Sequence, residues 1–275
     1  MEYFKLLSSG EKLLRDNNVD VSLAKFILME SSLLSPDVFY QNLKEKAPKK
    51  VKKKYYKYLN LIINKNKPPQ YLFKKAYFYG ASFKVNKNVL IPRPESEGLI
   101  EIVNKEVAKN TENLKVIDVG TGSGCLAITI NKQHPELDVY ALDISRKALK
   151  VAKYNNKLHK TNVKFIKSDL FKNIKNIKFD IIVANLPYIA NDEKLMEMVK
   201  QEPKRALMAG DLGLTTYQNF FQEVFNYLKD DGVIAIEHGY LQKEFLEEII
   251  LSYRKNAEIT ALKDLAKKDR YLIIR

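Results

Sequence analysis

The run Val116-Ile117-Asp118-Val119-Gly120-Thr121-Gly122-Ser123-Gly124-Cys125 decides how the rest of this 275-residue sequence folds. Apolar residues before the glycines predict a strand, the glycines predict a tight turn, and the apolar residues 126–128 predict a helix. Glycine lets the backbone turn sharply and approach a ligand, because no Cβ stands in the way. In a doubly wound α/β sheet, such a turn lies in the crevice at the carboxyl end of the first strand, where ligands bind.

Apolar runs on both sides of this turn have the lengths of buried strands. They cover residues 114–119, 138–142, 163–166, 179–184, 232–237 and 270–274. Helical stretches separate the first several of these runs. The alternation predicts a mainly parallel sheet covered by helices on both faces, in a domain that spans residues 96–275.

Residues 1–72 follow a different pattern, in which apolar residues recur at helical spacing. Ser35-Pro36-Asp37 marks a helix start, with a capping hydroxyl, proline at the first helical position and an acid in the first turn. Residues 73–95 hold aromatic and β-branched residues around Gly80, which predicts a β-hairpin. We therefore expect a small all-helical N-terminal domain, a hairpin linker and an α/β domain.

Composition restricts the class of protein. Apolar residues make up 45% of the chain and charged residues 29%, which is typical of a globular protein. No stretch approaches about 18 unbroken apolar residues, and the first 18 residues lack the features of a secretory signal, so we expect a cytoplasmic protein without a membrane span. Cys125 is the only cysteine, and the three histidines show no metal-ligand spacing, so we expect no metal.

The net charge of +14 leaves two interpretations open. A basic protein favours acidic partners such as nucleic acid, but a chain rich in lysine, asparagine and isoleucine also carries this charge without a specific partner. The lysine-rich segment 46–57 is the most biased stretch. We favour a solvated helix face over a nucleic-acid patch for it, and nucleic-acid contact is not required by the sequence.

The glycine spacing discriminates between ligands. A dinucleotide fingerprint is G-x-G-x-x-G, whose third glycine position holds Cys125 here. The observed G-x-G-x-G, with Asp118 just before it, resembles motif I of class I methyltransferases, which bind S-adenosyl-L-methionine. The resemblance implies that Asp118 faces the charged amino-acid end of this cofactor. It also implies that the backbone of Gly120-Thr121-Gly122-Ser123-Gly124 packs against the cofactor.

The next two strands end in residues suited to the same ligand. Asp143 ends the run 138–142, about 20 residues past the glycines, where a carboxylate can accept both ribose hydroxyls of an adenosine. Ser145 is available to cap the following helix, which leaves Asp143 for the ribose. After the third strand, Asp169 and Leu170 occupy the place where methyltransferases contact adenine. The resemblance implies that Asp169 meets the adenine amino group and that Leu170 covers the ring.

The fourth strand runs into Asn185-Leu186-Pro187-Tyr188, which suits a planar nitrogen acceptor. An amide nitrogen is a poor nucleophile because its lone pair is conjugated with the carbonyl. The side-chain oxygen of Asn185 and the carbonyl of Leu186 can accept its two hydrogens. Pro187 fixes the loop and Tyr188 offers a stacking face. We expect all four residues to bind substrate and Asn185, Pro187 and Tyr188 to be catalytic, with Asn185 also binding the cofactor.

This segment resembles the N-P-P-Y motif of enzymes that methylate planar nitrogens, which include adenine and glutamine methyltransferases. Leu186 replaces the first proline of that motif. The replacement also resembles the N-L-P-Y form of ribosomal RNA adenine dimethyltransferases. The motif therefore leaves the substrate open.

Residues 91–97 separate these substrates. They read I-P-R-P-E-S-E and resemble the I-P-R-P-E-T-E segment of the release factor glutamine methyltransferases, with Ser96 in place of threonine. Glu202-Pro203 also matches. Residues 264–271 resemble the family's D-L-A-G-x-D-R, with Lys267 in place of the glycine. The resemblance covers nearly the whole chain, most strongly from about residue 70.

The resemblance implies both a fold and an activity. The fold is a Rossmann-like class I methyltransferase with a seven-stranded, mostly parallel sheet, in which residues 1–72 recognise the substrate. The activity is methylation of the side-chain amide of the glutamine in the Gly-Gly-Gln loop of class I peptide chain release factors. S-adenosyl-L-methionine is the implied donor and leaves as S-adenosyl-L-homocysteine. The release factor is the expected partner, and the enzyme is expected to be a monomer.

Other functions remain to be weighed. Leu186 and the net charge favour an adenine N6-methyltransferase that acts on RNA or DNA. The basic helical region would suit a non-catalytic binding protein of the translation machinery. Cys125 disfavours a nicotinamide-dependent oxidoreductase. Arg93 lies between two prolines, and we expect it to pair with Glu95, Glu97 or an acid of the α/β domain rather than with substrate.

Overall fold

The computed structural model describes residues 1–109 and 114–275. The chain divides into two compact units, Met1–Lys75 together with Met196–Gln201, and Ala76–Leu195 together with Glu202–Arg275. Met198 packs against the apolar core of the first unit, which no pattern in the sequence had indicated. Within the described ranges, no helix combines the length and apolarity needed to cross a membrane.

The first unit is built of helices. In chain order they are α1 (Tyr3–Asp16), α2 (Leu23–Ser32), α3 (Pro36–Gln41), α4 (Lys49–Lys65) and α5 (Pro69–Phe73). α3 begins at Pro36, as the sequence predicts. Leu6, Leu14, Ile27 and Phe39 are fully buried in the core between the helices.

α4 carries most of the lysine-rich segment. Tyr55, Leu59 and Ile62 form its buried face, at the spacing of an amphipathic helix. The lysines at positions 49, 50, 52, 53 and 57 are exposed. The helix therefore presents one apolar face to the core and one basic face to solvent.

A hairpin precedes the main sheet. Its strands are β1 (Lys75–Phe78) and β2 (Ala81–Lys84). Tyr79 and Gly80 both have positive φ, 47° and 70°, as a two-residue type I′ turn requires. Phe78 and Phe83 are buried in the core of the second unit, so the hairpin packs as part of that unit.

Seven strands form the main sheet of the second unit. They are β3 (Lys115–Val119), β4 (Asp138–Asp143), β5 (Lys164–Lys167), β6 (Phe179–Ala184), β7 (Leu228–Glu237), β8 (Ile259–Lys263) and β9 (Asp269–Ile274). The order is β5-β4-β3-β6-β7-β9-β8, and only the β7–β9 and β8–β9 pairs are antiparallel. The predicted fold class is confirmed. The apolar runs had not indicated β8, because none of its residues is fully buried.

Helices cover the sheet from both sides. They are α6 (Glu97–Val107), α7 (Cys125–Gln133), α8 (Arg146–His159), α9 (Thr215–Val224) and α10 (Lys243–Tyr253). Val116 and Ile117 point to opposite faces because side chains alternate along a strand. Val116 joins the core with α6 and α7, and Ile117 joins the core with α9 and α10.

The strand order reverses between β3 and β6, and the register aligns the strand ends there. One row across β4, β3, β6 and β7 contains Leu142, Val119, Ala184 and Ile236. The next residue of each chain segment therefore emerges at the same edge: Asp143, Gly120, Asn185 and Glu237. A crevice at such a reversal is where open α/β sheets bind ligands.

We expect Phe220→Ala to lower the free energy of unfolding by about 3–5 kcal/mol. Phe220 of α9 is fully buried and contacts Phe221 edge to face, with ring centroids 5.2 Å apart. Urea unfolding followed by far-UV circular dichroism measures the change. Phe245→Ala on α10 is the matched control, because Phe245 is 55% exposed and should cost less than about 0.5 kcal/mol. Equal losses in the two variants would contradict this packing.

Candidate active site

The glycine turn after β3 is held in an unusual backbone conformation. All three glycines of residues 120–124 have φ in the left-handed region, which favours glycine. The amides of Gly120 and Thr121 both donate to the carbonyl of Leu142 at 2.9 Å. A Cβ on Gly120 would lie 2.8 Å from Cδ2 of Leu186. Leu186 therefore lies so close to the glycine turn that a side chain at residue 120 would collide with it.

Asp118 is buried beneath this turn. Its Oδ2 accepts a hydrogen bond from Thr121 Oγ1 at 2.6 Å and one from the amide of Ala127 at 3.3 Å. Its Oδ1 is buried and has no partner within residues 1–109 and 114–275. Burial raises the pKa of Asp118 to about 7. A buried carboxylate oxygen without a donor is costly, and a ligand with a cationic or N–H group would satisfy it.

Asp143 ties the second strand to the glycine turn. Its Oδ2 accepts from the amide of Gly122 at 2.9 Å, and its Oδ1 accepts from the amide of Ser145 at 2.7 Å. Ser145 Oγ caps α8 by accepting from the amide of Ala148 at 3.2 Å. The helix cap therefore belongs to Ser145, and the carboxylate of Asp143 lies against the glycine turn. Burial raises the pKa of Asp143 as well.

The residues after the third strand are placed differently. Asp169 is exposed, and its carboxylate pairs with Lys172. Leu170 is half-buried and has a φ of 45°, a conformation that costs a residue with a side chain about 1–2 kcal/mol. The structure thus brings Asp118, the glycine turn and Asp143 together by hydrogen bonds. No described hydrogen bond joins Asp169 to them.

The Asn-Leu-Pro-Tyr segment is anchored on both sides of Pro187. The amide of Leu186 donates to the hydroxyl of Tyr217 at 3.3 Å. Nε2 of Gln242 donates to the carbonyl of Tyr188 at 2.9 Å, and the Tyr188 hydroxyl donates to Oε1 of Glu237 at 3.2 Å. Burial, followed by the nearby charge of Glu237, raises the pKa of Tyr188. The ring is therefore a neutral, fixed surface.

A polar network links this segment to two residues that sequence reasoning missed. Nδ2 of Asn185 donates to Ser96 Oγ at 2.7 Å, and Ser96 Oγ donates to Oε2 of Glu237 at 2.6 Å. We call Asn185, Ser96, Glu237 and Tyr188 the Asn185 network. Ser96 is 3% exposed and Glu237 1% exposed, and burial raises the pKa of Glu237. The signal in the sequence was an acid at the end of an otherwise apolar strand.

Arg93 is paired with an acid, as expected, and the acid is Glu202. The guanidinium contacts Oε1 of Glu202, and the amide of Ile91 donates to Oε2 at 2.9 Å. Glu202 is buried, so this pair fixes the backbone just before Ser96. Glu95 and Glu97 are not the partners.

The turn before β9 supports the end of β7. Arg270 pairs with Asp264 at 3.1 Å and donates to the carbonyl of His238 at 3.0 Å. Lys267, which stands where the family pattern has glycine, adopts a φ of 61°. The chain therefore keeps the left-handed turn with a lysine in it, at a cost of about 1–2 kcal/mol.

A mostly parallel sheet of this strand order, with its glycine turn at the order reversal, is the fold of the class I methyltransferases. These enzymes take a methyl group from S-adenosyl-L-methionine. A family model described as a methyltransferase domain matches residues 110–274. The fold is also similar to that of a methyltransferase from Pyrococcus furiosus, with a TM-score of 0.53 and 15% identity over 72% of this chain and 89% of that chain.

Sequence comparison narrows the class to one family. The chain is 33% identical to the release factor glutamine methyltransferase of Streptococcus pneumoniae, over all of this chain and 98% of the relative. It is 40% identical to the release factor glutamine methyltransferase of Bacillus subtilis, over 74% of this chain and 73% of the relative. The chain belongs to the release factor glutamine methyltransferases, which confirms the resemblance of residues 91–97.

We expect Asp118→Asn to change how stability depends on pH. The folded pKa of Asp118, about 7, lies above its ordinary value of 3.8. The folded state therefore holds the proton more tightly, and wild-type stability falls as pH rises from about 4 to about 7. Asparagine has no such titration. The free energy of unfolding is measured with urea, without ligand, at about pH 5 and about pH 8. The difference between variant and wild type should shift in favour of the variant by roughly 1–3 kcal/mol from the lower to the higher pH. An unchanged difference would contradict the raised pKa.

Proposed function

We propose that this chain methylates the side-chain amide nitrogen of the glutamine in the Gly-Gly-Gln loop of class I peptide chain release factors, with S-adenosyl-L-methionine as donor. The observation that carries the proposal is the close approach of Leu186 to Gly120, where an added Cβ would lie 2.8 Å from Leu186 Cδ2. It puts the segment suited to a planar nitrogen directly beside the turn suited to the donor. The names of the relatives support a release factor glutamine as the acceptor.

The donor side of the site fits S-adenosyl-L-methionine. The unpartnered, buried Oδ1 of Asp118 would accept from the amino group of the donor. Asp143 would meet the ribose, because its carboxylate lies against Gly122 at the end of β4. Asp169 and Leu170 would flank the adenine, and Thr121 to Gly124 would contact the donor through the backbone. When bound, S-adenosyl-L-methionine supplies an electrophilic methyl group on a positively charged sulphur.

The acceptor side of the site would prepare the amide nitrogen for in-line attack. Asn185 Oδ1 and the carbonyl of Leu186 would accept the two amide hydrogens. Pro187 fixes the loop, and the Tyr188 ring would stack on the planar amide. The nitrogen forms a bond to the methyl carbon as the carbon–sulphur bond breaks, and one amide proton is lost to water. The contribution of the chain is therefore orientation and electrostatics.

The remaining parts of the proposal concern the partner. We assign recognition of the release factor to the helical residues 1–72, followed by a hairpin over 73–95 and the methyltransferase domain over 96–275. The full-length relatives support this assignment, because the similarity extends through the helical region. The enzyme would act as a monomer in the cytoplasm, where release factors act, with no requirement for nucleic acid.

A methyl-transfer assay tests the function directly. Radiolabelled S-adenosyl-L-methionine is offered with three acceptors side by side: purified release factor, release factor with its loop glutamine replaced by alanine, and total RNA. We expect label on the intact release factor alone. Label on the glutamine-replaced factor would show that a different residue of that protein is methylated. Label on RNA would instead identify an adenine methyltransferase and make Leu186 the decisive residue.

We expect Asn185→Ala to lower the turnover of release factor methylation by about 10²–10³-fold. Affinity for S-adenosyl-L-methionine, measured by calorimetry, should change by less than about threefold, because the proposed bond of Asn185 Oδ1 is to the acceptor. Asn226→Ala is the matched control, since Asn226 is exposed near the opposite edge of the sheet. Equal losses in turnover and in donor affinity would exclude this role for Asn185.

A further inference from the structure

Glu237 determines which atom donates and which accepts in each hydrogen bond of the Asn185 network. Burial raises the pKa of Glu237, while the hydrogen bonds from Ser96 and Tyr188 and the charge of Arg270 lower it and so favour the ionised form. In that form the carboxylate only accepts hydrogen bonds. Both oxygens of Glu237 are used in this way, Oε2 by Ser96 Oγ at 2.6 Å and Oε1 by the Tyr188 hydroxyl at 3.2 Å. The single hydrogen of Ser96 is therefore committed to Glu237.

The committed hydrogen of Ser96 determines which way the Asn185 amide faces. A serine hydroxyl has one hydrogen to donate and otherwise accepts. Towards Asn185, 2.7 Å away, Ser96 Oγ can only accept, so Asn185 must present its NH₂ group. The opposite orientation would place two oxygens at that distance with no hydrogen between them.

The orientation of the Asn185 amide leaves its other polar atom, Oδ1, available to a ligand. With Nδ2 bound to Ser96, Asn185 Oδ1 has no partner among the described residues. Asn185 follows β6 directly beside Leu186, whose side chain lies close to the glycine turn. An amide turned the other way would offer two N–H donors to an acceptor that itself carries N–H donors.

We infer that Glu237 and Ser96 are positioning residues for methyl transfer, which act by holding the Asn185 amide with Oδ1 towards the acceptor. This inference rests on the proposed function of Asn185. Glu237 holds Tyr188 as well, so one buried carboxylate orients both the hydrogen-bonding and the stacking residue of the segment. Ser96 reaches the site from the junction between the 3-10 turn Pro94–Ser96 and α6.

Three substitutions test whether the direction of the hydrogen bonds in the Asn185 network matters, rather than contact between the side chains alone. Ser96→Ala removes the acceptor for Nδ2. Ser96→Thr keeps the hydroxyl. Glu237→Gln keeps the shape, but its amide can accept from only one of Ser96 and Tyr188 and presents N–H donors to the other.

Glu106→Gln is the matched control for loss of a buried carboxylate. Glu106 pairs with Arg275 at 2.6 Å. Arg275 follows β9, next to the residues that pair with the middle of β7 and away from Glu237. The control therefore changes stability without touching the Asn185 network.

Activity is measured on purified release factor, with donor affinity by calorimetry. Ser96→Ala and Glu237→Gln should each lower turnover by about tenfold, as loss of a buried hydrogen bond does, with unchanged donor affinity. Ser96→Thr should retain most of the turnover, and so should Glu106→Gln. The double variant Ser96→Ala with Asn185→Ala should be no slower than Asn185→Ala alone, since Ser96 acts only through Asn185. Additive losses would overturn the inference.

The side-chain amide resonance of Asn185 provides a test that needs no acceptor. It is assigned in the ¹⁵N-labelled full-length chain by its disappearance in Asn185→Ala. We expect Ser96→Ala and Glu237→Gln to shift it and Glu106→Gln to leave it in place. A resonance insensitive to Ser96→Ala and Glu237→Gln would overturn the inference, whatever the activity. A wild-type enzyme that methylates no release factor would instead overturn the proposed function, while the resonance still decides how Asn185 is oriented.

Discussion

The backbone hydrogen-bond ladder across β4, β3, β6 and β7 is the constraint on which the rest of the structure depends. Its register aligns the last positions of these strands in one row. The loops that follow therefore emerge side by side, although they are far apart in the sequence. The groups proposed to bind the donor and those proposed to bind the acceptor lie close together because their strands end together. The sheet places these loops next to one another, and hydrogen bonds between their side chains then fix the positions of individual groups.

Sequence patterns predicted the parts of this arrangement that are local. A glycine turn, an acid after a strand and a four-residue segment each fit within a few positions, so they could be located in the sequence without knowing their partners. The parallel strands were equally visible, because strands buried on both faces are continuous apolar runs. β8 escaped notice because its residues are only partly buried, and its pattern therefore resembles that of a surface segment.

Hydrogen bonds between residues far apart in the sequence could not be predicted in the same way. Ser96 and Asn185 are 89 positions apart, and Ser96 and Glu237 are 141 apart. Nothing in the local pattern of Ser96 distinguishes a helix-start hydroxyl from one that carries a hydrogen bond between two other segments. Arg93 illustrates the same limit, because its need for an acid was foreseeable while the choice of Glu202 required the fold.

The placement of the segment Met196–Gln201 limits how the two units could be exchanged between proteins. It belongs to the polypeptide between β6 and α9, yet it is grouped with the helical unit and places Met198 against that unit's core. A cut between Lys75 and Ala76 would remove the helices and strip Met198 of its apolar surroundings. The α/β unit therefore cannot be transferred to another protein without changing its own sequence. A gene fusion that gave it a different N-terminal domain would also have to redesign a loop more than 100 residues downstream of the cut.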